Sequence, residues 1–151
     1  MGSRVPEIIE TLVALGAADP DLAGVAVADG PQVTETSARD WLIVGYDGDP
    51  NGDFQAAQTV GGWSDLSTRS REEQFQITVA AVAQRGDTDV KAARKRAYEI
   101  GERVEAWLRA APHLGLDSVE AGIEATQLTQ DQTPNGVQAV LLLTVAGRAF
   151  T

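Results

Sequence analysis

The segment DGDPNGD, from Asp47 to Asp53, has the residue types and spacing with which a calcium-binding loop begins. Oxygen-bearing side chains occupy its first, third, fifth and seventh positions, and glycine occupies the sixth, as in an EF-hand loop. The twelfth position is Gln58, whereas an EF-hand requires a bidentate glutamate there. Because Asp, Asn, Gly and Pro also form tight connections between strands, we interpret the segment as a solvated turn, with a weak calcium site as the alternative.

The other residues capable of chemistry lack the arrangement that catalysis requires. His113, the single histidine, follows a long helical segment in a chain without a G-x-S-x-G nucleophile motif, so we interpret it as a helix-terminal residue. A glycosidase needs a carboxylate pair in an apolar cleft, and no pair here is predicted to lie in one. Solvated faces are predicted for Glu72/Glu73, Glu102/Glu105 and Glu120/Glu124. The sequence therefore predicts no enzymatic activity, no cofactor and no metal.

A basic cluster stands out in this acidic chain, and it consists of Lys91, Arg94, Lys95 and Arg96. One interpretation is an ordinary helix surface, on which pairs such as Lys95–Glu99 add only ~0.2–0.5 kcal/mol each. The other is a subunit interface that meets an acidic patch of a neighbouring copy. A protomer with a net charge of −10 must offset its self-repulsion if it assembles. The sequence leaves both interpretations open.

The periodicity of the chain predicts two helices and a sheet that would position these residues. VPEIIETLVAL at 5–15 repeats apolar residues at helical spacing, and the segment at 89–110 carries a longer apolar stripe after an Asp-Thr-Asp N-cap. Strands are predicted for GVAVADGP, WLIVGY, EEQFQITVAAVAQRG, SVEAGIEATQLTQ and GVQAVLLLTVAGRAF. We predict an α+β fold with a single domain over residues 1–151, in which two helices pack on one face of an antiparallel sheet of four to six strands.

The segment 47–71 is predicted to be a polar connection between strands, and it is longer than ordinary turns. Its content of Gly, Asp, Ser and Gln predicts mobility in the isolated subunit and order upon docking. We therefore interpret it as a partner-docking loop. Its candidate contact residues are Asp47, Asp49, Asp53, Phe54 and Trp63.

The last strand, GVQAVLLLTVAGRAF, is apolar on both faces at its centre. Val140 and Leu142 point to the face opposite to that of Leu141 and Leu143. One face is predicted to pack against a helix. The other must then be covered by loops or by something outside the domain.

Composition limits the class of protein. With 43% hydrophobic and 23% charged residues, the chain has the make-up of a soluble globular protein, and its lack of cysteine removes disulfide, thiolate and Cys-zinc chemistry. No run approaches the ~18 apolar residues of a membrane span, and the N-terminal segment has no signal-peptide core, so we expect cytoplasmic synthesis and no membrane contact. The net charge of −10 disfavours binding to phosphate backbones.

The order of the segments resembles that of a known family. A short N-terminal helix precedes VAVADGP, WLIVGY and REEQFQITV at 71–79, and these are followed by the helix DVKAARKRAYEIGERVEAWLRAAPHLGL and the closing strand GVQAVLLLTVAGRAF. This succession resembles the small tail-terminator (tail-completion) proteins of long-tailed bacteriophages, particularly those that infect actinobacteria. The resemblance spans nearly the whole chain and rests on features of the fold pattern, not on catalytic signatures.

The resemblance implies a non-catalytic structural protein of the virion, made in the cytoplasm of the bacterial host. It implies a homo-oligomeric ring, usually a hexamer, that caps the tail tube and joins it to the neck. The tail tube protein and a neck or head-completion protein would be its partners, and DNA would pass through the lumen without specific binding. The alternatives are another neck component, such as a head–tail connector or stopper, a non-viral α+β binding module for a small ligand or peptide, and a hydrolase that uses carboxylates.

Overall fold

The structure, a computed structural model, describes residues 2–31, 38–49, 51–63, 71–86, 88–134 and 136–150, which form two α-helices and six strands. Helix α1 covers Val5–Ala18, and a 3-10 turn over Pro20–Leu22 follows it. The remaining elements, in chain order, are β1 Ala26–Asp29, β2 Asp40–Val44, β3 Ala57–Trp63, β4 Arg71–Arg85, α2 Val90–Ala110, β5 Val119–Thr133 and β6 Gly136–Phe150.

All six strands belong to one sheet with β4 and β6 at its centre. Its order is β1-β2-β4-β6-β5, and β3 also pairs with β4. Along one side of β4, residues 71–77 pair with β3 and residues 79–83 pair with β2, while its other side pairs with β6. β1 and β2 run parallel, and the other pairs are antiparallel. The sheet is therefore mixed. β1 and β5 lie at the two ends of this order, and β3 also has one side without a described strand partner.

The hydrophobic core lies between the sheet and the two helices. Alternate residues of β4 are at most 2% exposed and share one hydrophobic cluster with both helices. This alternation follows from the period of two in a strand, which places every second side chain on the helix-facing side. The core members of β4 are Phe75, Ile77, Val79, Ala81 and Ala83, and those of the helices include Ile8, Leu12, Ala97, Ile100 and Val104.

Helix α2 begins where its sequence predicts. The Asp89 carboxylate accepts a hydrogen bond from the Ala92 amide (3.0 Å) and so caps the helix N-terminus, while Asp87 lies outside the described residues. At mid-helix, Gly101 allows a close approach to β6, because a Cβ atom there would lie only 2.8 Å from Leu141 Cδ2. In α1, Gly16 serves the same purpose against Val27 and Leu42. Small residues thus set the distance between helices and sheet.

The predicted α+β class, with two helices on one face of a six-stranded sheet, is confirmed. Two details differ. The pair β1–β2 is parallel, so the sheet is not purely antiparallel. The prediction that 47–71 is only a connection is wrong for residues 57–63, because this stretch forms β3 against β4. Two adjacent glycines in β3 had concealed the strand pattern, and pairing with β4 supplies the order that the local sequence does not.

Candidate functional site

The connection between β2 and β3 leaves the sheet and returns to it at the same residue of β4. The Gly45 amide donates to the Thr78 carbonyl oxygen (2.7 Å), and the Thr78 amide donates to the Ala56 carbonyl oxygen (3.0 Å). A Cβ atom on Gly45 would lie 3.5 Å from the Ala56 Cβ, so the two ends of the connection are adjacent. The described residues of 45–49 and 51–56 therefore belong to a loop whose two ends are adjacent, which we call the acidic loop.

The carboxylates of the acidic loop organise its own backbone. One oxygen of Asp47 accepts from the Asp49 amide (2.9 Å), one of Asp49 from the Asn51 amide (2.9 Å), and one of Asp53 from the Gln55 amide (3.1 Å). Each is a turn in which a side chain replaces a backbone acceptor. Across the described part of the chain, no group of three His, Cys, Asp or Glu residues has the geometry to hold a metal ion. These three hydrogen bonds favour the interpretation of the segment as a turn. Pro50 lies outside the described residues.

Two aromatic residues, one near each end of the acidic loop, stack on each other. The rings of Tyr46 and Phe54 stack with centroids 5.3 Å apart and planes within 3° of parallel. Tyr46 is buried, whereas Phe54 is 48% exposed and has a positive φ of 59°, a conformation that costs a residue with a Cβ atom about 1–2 kcal/mol. Burial, reinforced by the charges of Asp47 and Asp49, raises the pKa of the Tyr46 phenol. Of the other docking candidates, Trp63 ends β3 and its side chain lies outside the described residues.

The acidic loop packs on the sheet face that the helices leave open. A Cβ atom on Gly48 would lie 3.8 Å from Val82 Cγ2, and Val82 is one of the β4 residues that alternate with the core set. Ala80 and Val82 are buried on this face. Beside them in the ladders lie four half-buried apolar residues, Trp41, Ile43, Val140 and Leu142. We call this set the open apolar face, and it agrees with the prediction that Val140 and Leu142 need cover.

The same sheet face becomes polar toward the other end of β4. At this end of the sheet, a groove of about 880 Å³ is lined by residues of β3, β4, β5 and β6 and by the end of α2. Its lining comes from both sides of the sheet, since Gln74 and Gln76 belong to the open face and Phe75 and Leu108 belong to the core. β5 has a bulge between Ile123 and Ala125, where its register against β6 shifts. Two carboxylates of the groove are exposed and have polar partners: Glu124 accepts from Gln76 Nε2 (2.8 Å), and Glu120 lies 3.3 Å from Arg148.

The basic cluster of α2 divides into a part used within the fold and a part at the surface. Arg96 donates to Asp40 (3.2 Å) and Glu99 (3.0 Å), so it connects α2 to β2. Arg94 donates to the Gln130 side chain of β5 (3.0 Å), which places its side of the helix next to that strand. Lys91 and Lys95 are exposed, and no described carboxylate lies within 4.0 Å of either ammonium group. The predicted Lys95–Glu99 pair is replaced by Arg96–Glu99.

Asp19 forms a polar contact that the sequence gave no reason to expect. Its side chain is only 4% exposed and accepts from Arg103 Nε (2.8 Å), Trp107 Nε1 (2.8 Å) and the Asp21 amide (2.9 Å). Burial acts to raise the pKa of the Asp19 carboxyl, but these hydrogen bonds and the Arg103 charge outweigh burial and lower it. The contact joins the end of α1 to α2. We interpret it as structural, because three donors of the same chain already bind the carboxylate.

The remaining candidates for chemistry have ordinary surroundings. His113 is exposed and its Nδ1 accepts from the Gly115 amide (2.9 Å), within the turn that follows α2. Glu105 pairs with Arg109 (2.6 Å), and Glu73 accepts from the Arg4 amide (3.0 Å). None of these contacts brings a nucleophile to a base.

The chain matches no protein-family model, and a comparison with curated proteins finds no significant match. Among the described helices, none is long and apolar enough to cross a membrane. The protein therefore has four candidate interaction surfaces: the acidic loop, the open apolar face, the basic cluster and the groove.

Proposed function

We propose that the protein is a structural subunit of a long-tailed bacteriophage virion, which assembles into a ring that caps the tail tube and joins it to the neck. The order of its segments supports this proposal, since it resembles that of tail-terminator proteins. In this role the protein has no catalytic activity, needs no cofactor, and has the tail tube protein and a neck protein as partners.

The observation that carries the proposal is the open apolar face. Trp41, Ile43, Val140 and Leu142 are half-buried and adjacent on a sheet face that the helices do not cover, where Gly48 of the acidic loop approaches Val82. Adjacent apolar residues that keep part of their surface accessible support an interaction site with another protein. Assembly with copies of itself or with tube subunits would remove this surface from water.

The charge of the protein suits a ring through which DNA passes. At a net charge of −10, a protomer repels phosphate and offers no counterion-releasing surface for DNA, apart from the small basic cluster. A lumen lined by such subunits lets DNA move without specific binding.

The proposal is tested first with purified protein. Mass photometry and negative-stain microscopy should show closed rings with a central lumen, and a protein that stays monomeric at every concentration would contradict the proposal. Leu142→Glu on the open apolar face should weaken assembly or tube binding. Gln74→Glu, at an exposed residue on the polar end of the same face, is the matched control and should not.

Antibody labelling of virions separates the phage roles. A label at the head-proximal end of isolated tails supports a terminator, and a label only on head-attached neck parts supports a connector or stopper. Virions that carry no label would contradict any virion role.

The groove favours one second candidate, a binding module for a small ligand or peptide. Its volume of about 880 Å³ is within the range of ligand sites, and it combines the apolar side chains of Phe75, Leu108 and Ile123 with polar groups such as Gln76 and Glu124. A monomer that binds a ligand at this groove, with Glu124→Ala abolishing binding, would favour this function over the ring.

A further inference from the structure

β5 and β1, at the two ends of the strand order, each have one side without a strand partner in the part of the chain that the structure describes, as does β3. β5 pairs with β6 over its full length, Val119–Thr133, and no described strand pairs with its other side. At the opposite end of the sheet, β1 pairs only with β2. The outward backbone donors and acceptors of such a strand can pair with another strand.

The two edges lie level with each other across the sheet. Residues paired across successive strands connect Ala26 of β1 to Thr129 of β5, through Trp41, Val82 and Val140. In the same way they connect Asp29 of β1 to Thr126 of β5, through Val44, Val79 and Leu143. The four residues of β1 therefore lie at the same height along the strand direction as Thr126–Thr129 of β5. A second copy could place its β1 against β5 with no shift along the strands.

The strand directions and faces match as well. β1 runs with β2, β2 is antiparallel to β4, β4 to β6, and β6 to β5, so β1 of a second copy in the same orientation is antiparallel to β5. Val27 and Leu128 share the helix-facing side in their own ladders, and both are partly buried and packed against the core. In a sheet continued in this register, the helix-facing side of one subunit lies next to the helix-facing side of the next. This match is required because side chains alternate between the two faces of a strand with a period of two residues.

The charge of this part of β5 permits self-association. Ala125–Gln130 contains no charged residue, although the protomer carries −10, and it lacks the lysine or proline that commonly blocks an edge. Lys91, Arg94 and Tyr98 follow at i, i+3 and i+7 on α2, and the Arg94–Gln130 contact places their side of the helix beside β5. Glu124 and Asp131 lie on either side of this uncharged stretch, and Lys91 and Arg94 bring positive charge next to it. The uncharged stretch itself would face β1, so like charges do not oppose each other within the contact.

We propose that β1 of one copy adds to the β5 edge of the next, with Ala26 opposite Thr129 and Asp29 opposite Thr126, so that the sheet continues from subunit to subunit. This inference rests on the ring proposed above. The contact is head-to-tail between two different edges, and its lack of an axial shift allows it to close as a ring instead of extending as a filament.

Cysteine cross-linking tests the register directly, because the chain contains no cysteine. Residues directly opposite in antiparallel strands have Cα atoms about 4.5–5.5 Å apart, within the range that a disulfide spans. The double variant Asp29→Cys/Thr126→Cys should give a ladder of covalent multimers up to the closed ring upon mild oxidation. A mixture of the two single variants should stop at dimers that contain one of each.

Matched controls fix the meaning of the ladder. Asp29→Cys/Gln132→Cys places the second thiol on the same face of β5 but six residues from the partner position, and should not cross-link. If Asp29→Cys/Thr126→Cys lowers the yield of folded protein, Ala26→Cys/Thr129→Cys probes the same register. No ladder from either pair would overturn the proposal. Cross-linking of Thr126→Cys alone would indicate a two-fold β5–β5 contact and would also overturn it.

A charge placed in the predicted contact gives an independent measurement. Thr126→Glu sets a second carboxylate opposite Asp29 and should weaken each subunit contact roughly 1.5- to 5-fold, whereas Gln132→Glu has the same net charge and should not. Equal effects of the two variants would contradict the register. Rings that give no cross-linked ladder would overturn the edge pairing but not the virion role. A ladder from a protein that is absent from virions would support the edge pairing and overturn the virion role.

Discussion

At the residue scale, one buried carboxylate connects parts of the chain that the sequence keeps far apart. Asp19 accepts hydrogen bonds from Arg103 and Trp107, which lie 84 and 88 residues further along. The sequence predicted an apolar stripe on the helical segment at 89–110, and helix α2 has one. The stripe does not predict the contact with Asp19, because periodicity reports the face of a helix and not its partner across the fold.

The first prediction concerns this carboxylate. Asp19→Asn keeps the shape of the side chain but removes the negative charge of the group that accepts hydrogen bonds from Arg103 and Trp107. The substitution should lower the free energy of unfolding by about 1–3 kcal/mol. Asp21→Asn is the matched control. Asp21 is 68% exposed and lies 3.4 Å from Arg103, so its loss should cost less than about 1 kcal/mol. Urea unfolding compares the two, and equal losses would show that burial of Asp19 does not matter.

The pKa of Asp19 adds a pH dependence to the same pair of variants. Because this pKa is lowered in the folded protein, the carboxylate stabilises the fold above the unfolded-state pKa, and this contribution is lost as pH falls through the folded-state pKa. The stability difference between the natural protein and Asp19→Asn should be constant from about pH 5 to 8 and should shrink below about pH 4. A difference that grows in acid would contradict the lowered pKa.

Phe54 provides a third prediction, through its backbone. Its φ of 59° is unfavourable for any residue with a Cβ atom, so Phe54→Gly should be about 0.5–1 kcal/mol more stable than Phe54→Ala, although both lose the stack on Tyr46. The same two substitutions at the neighbouring Gln55, whose φ is negative, should follow the usual order with alanine the more stable. Thermal or urea unfolding of the four variants measures both differences. Alanine favoured at both positions would mean that position 54 relaxes out of the left-handed region.

At the scale of elements, the strength of the local pattern decided what could be predicted. Helix α2 and strands β4, β5 and β6 have long uninterrupted periodicity, and the structure has them within a few residues of the predicted bounds. β3 was missed because Ala57–Trp63 contains the pair Gly61-Gly62 and only a weak alternation. The parallel β1–β2 pair was missed because strand direction depends on the path of the chain between them, which composition does not report.

The distance between α2 and β6 gives an element-scale prediction. In an exposed helix, Gly→Ala adds up to about 1 kcal/mol of stability, but a Cβ atom at Gly101 would lie 2.8 Å from Leu141 Cδ2 in the packed core. We therefore expect Gly101→Ala to destabilise the protein by up to about 2 kcal/mol. In a Leu141→Val background, which removes the obstructing methyl group, the same substitution should become stabilising. A double-mutant cycle by urea unfolding measures this change of sign, and additive effects would show that the helix shifts freely.

At the scale of the whole molecule, the candidate surfaces were only partly accessible to sequence analysis. The basic cluster and the acidic loop were found as composition, and the apolar reverse face of β6 as alternation. The alignment of β1 with Thr126–Thr129 of β5 can be read only from the register of four successive strand pairs. No local sequence pattern contains that information. For the same reason, the sequence could not separate Arg96, which Asp40 holds within the fold, from Lys91 and Lys95 at the surface.

This division of the basic cluster leads to the last prediction. Lys91→Glu should leave the free energy of unfolding within about 0.5 kcal/mol, since the residue is exposed, but it should weaken assembly because it reverses a charge beside the β5 edge. Arg109→Glu makes the same change of charge on an exposed residue at the other end of α2 and is the control. Sedimentation at low and high salt should show weaker assembly for Lys91→Glu only, with the difference shrinking toward 1 M salt, where screening reaches about 3 Å. Arg96→Glu, which faces Asp40, should instead lower the stability of the monomer. Equal assembly of Lys91→Glu and Arg109→Glu at every salt concentration would assign the cluster to ordinary helix surface.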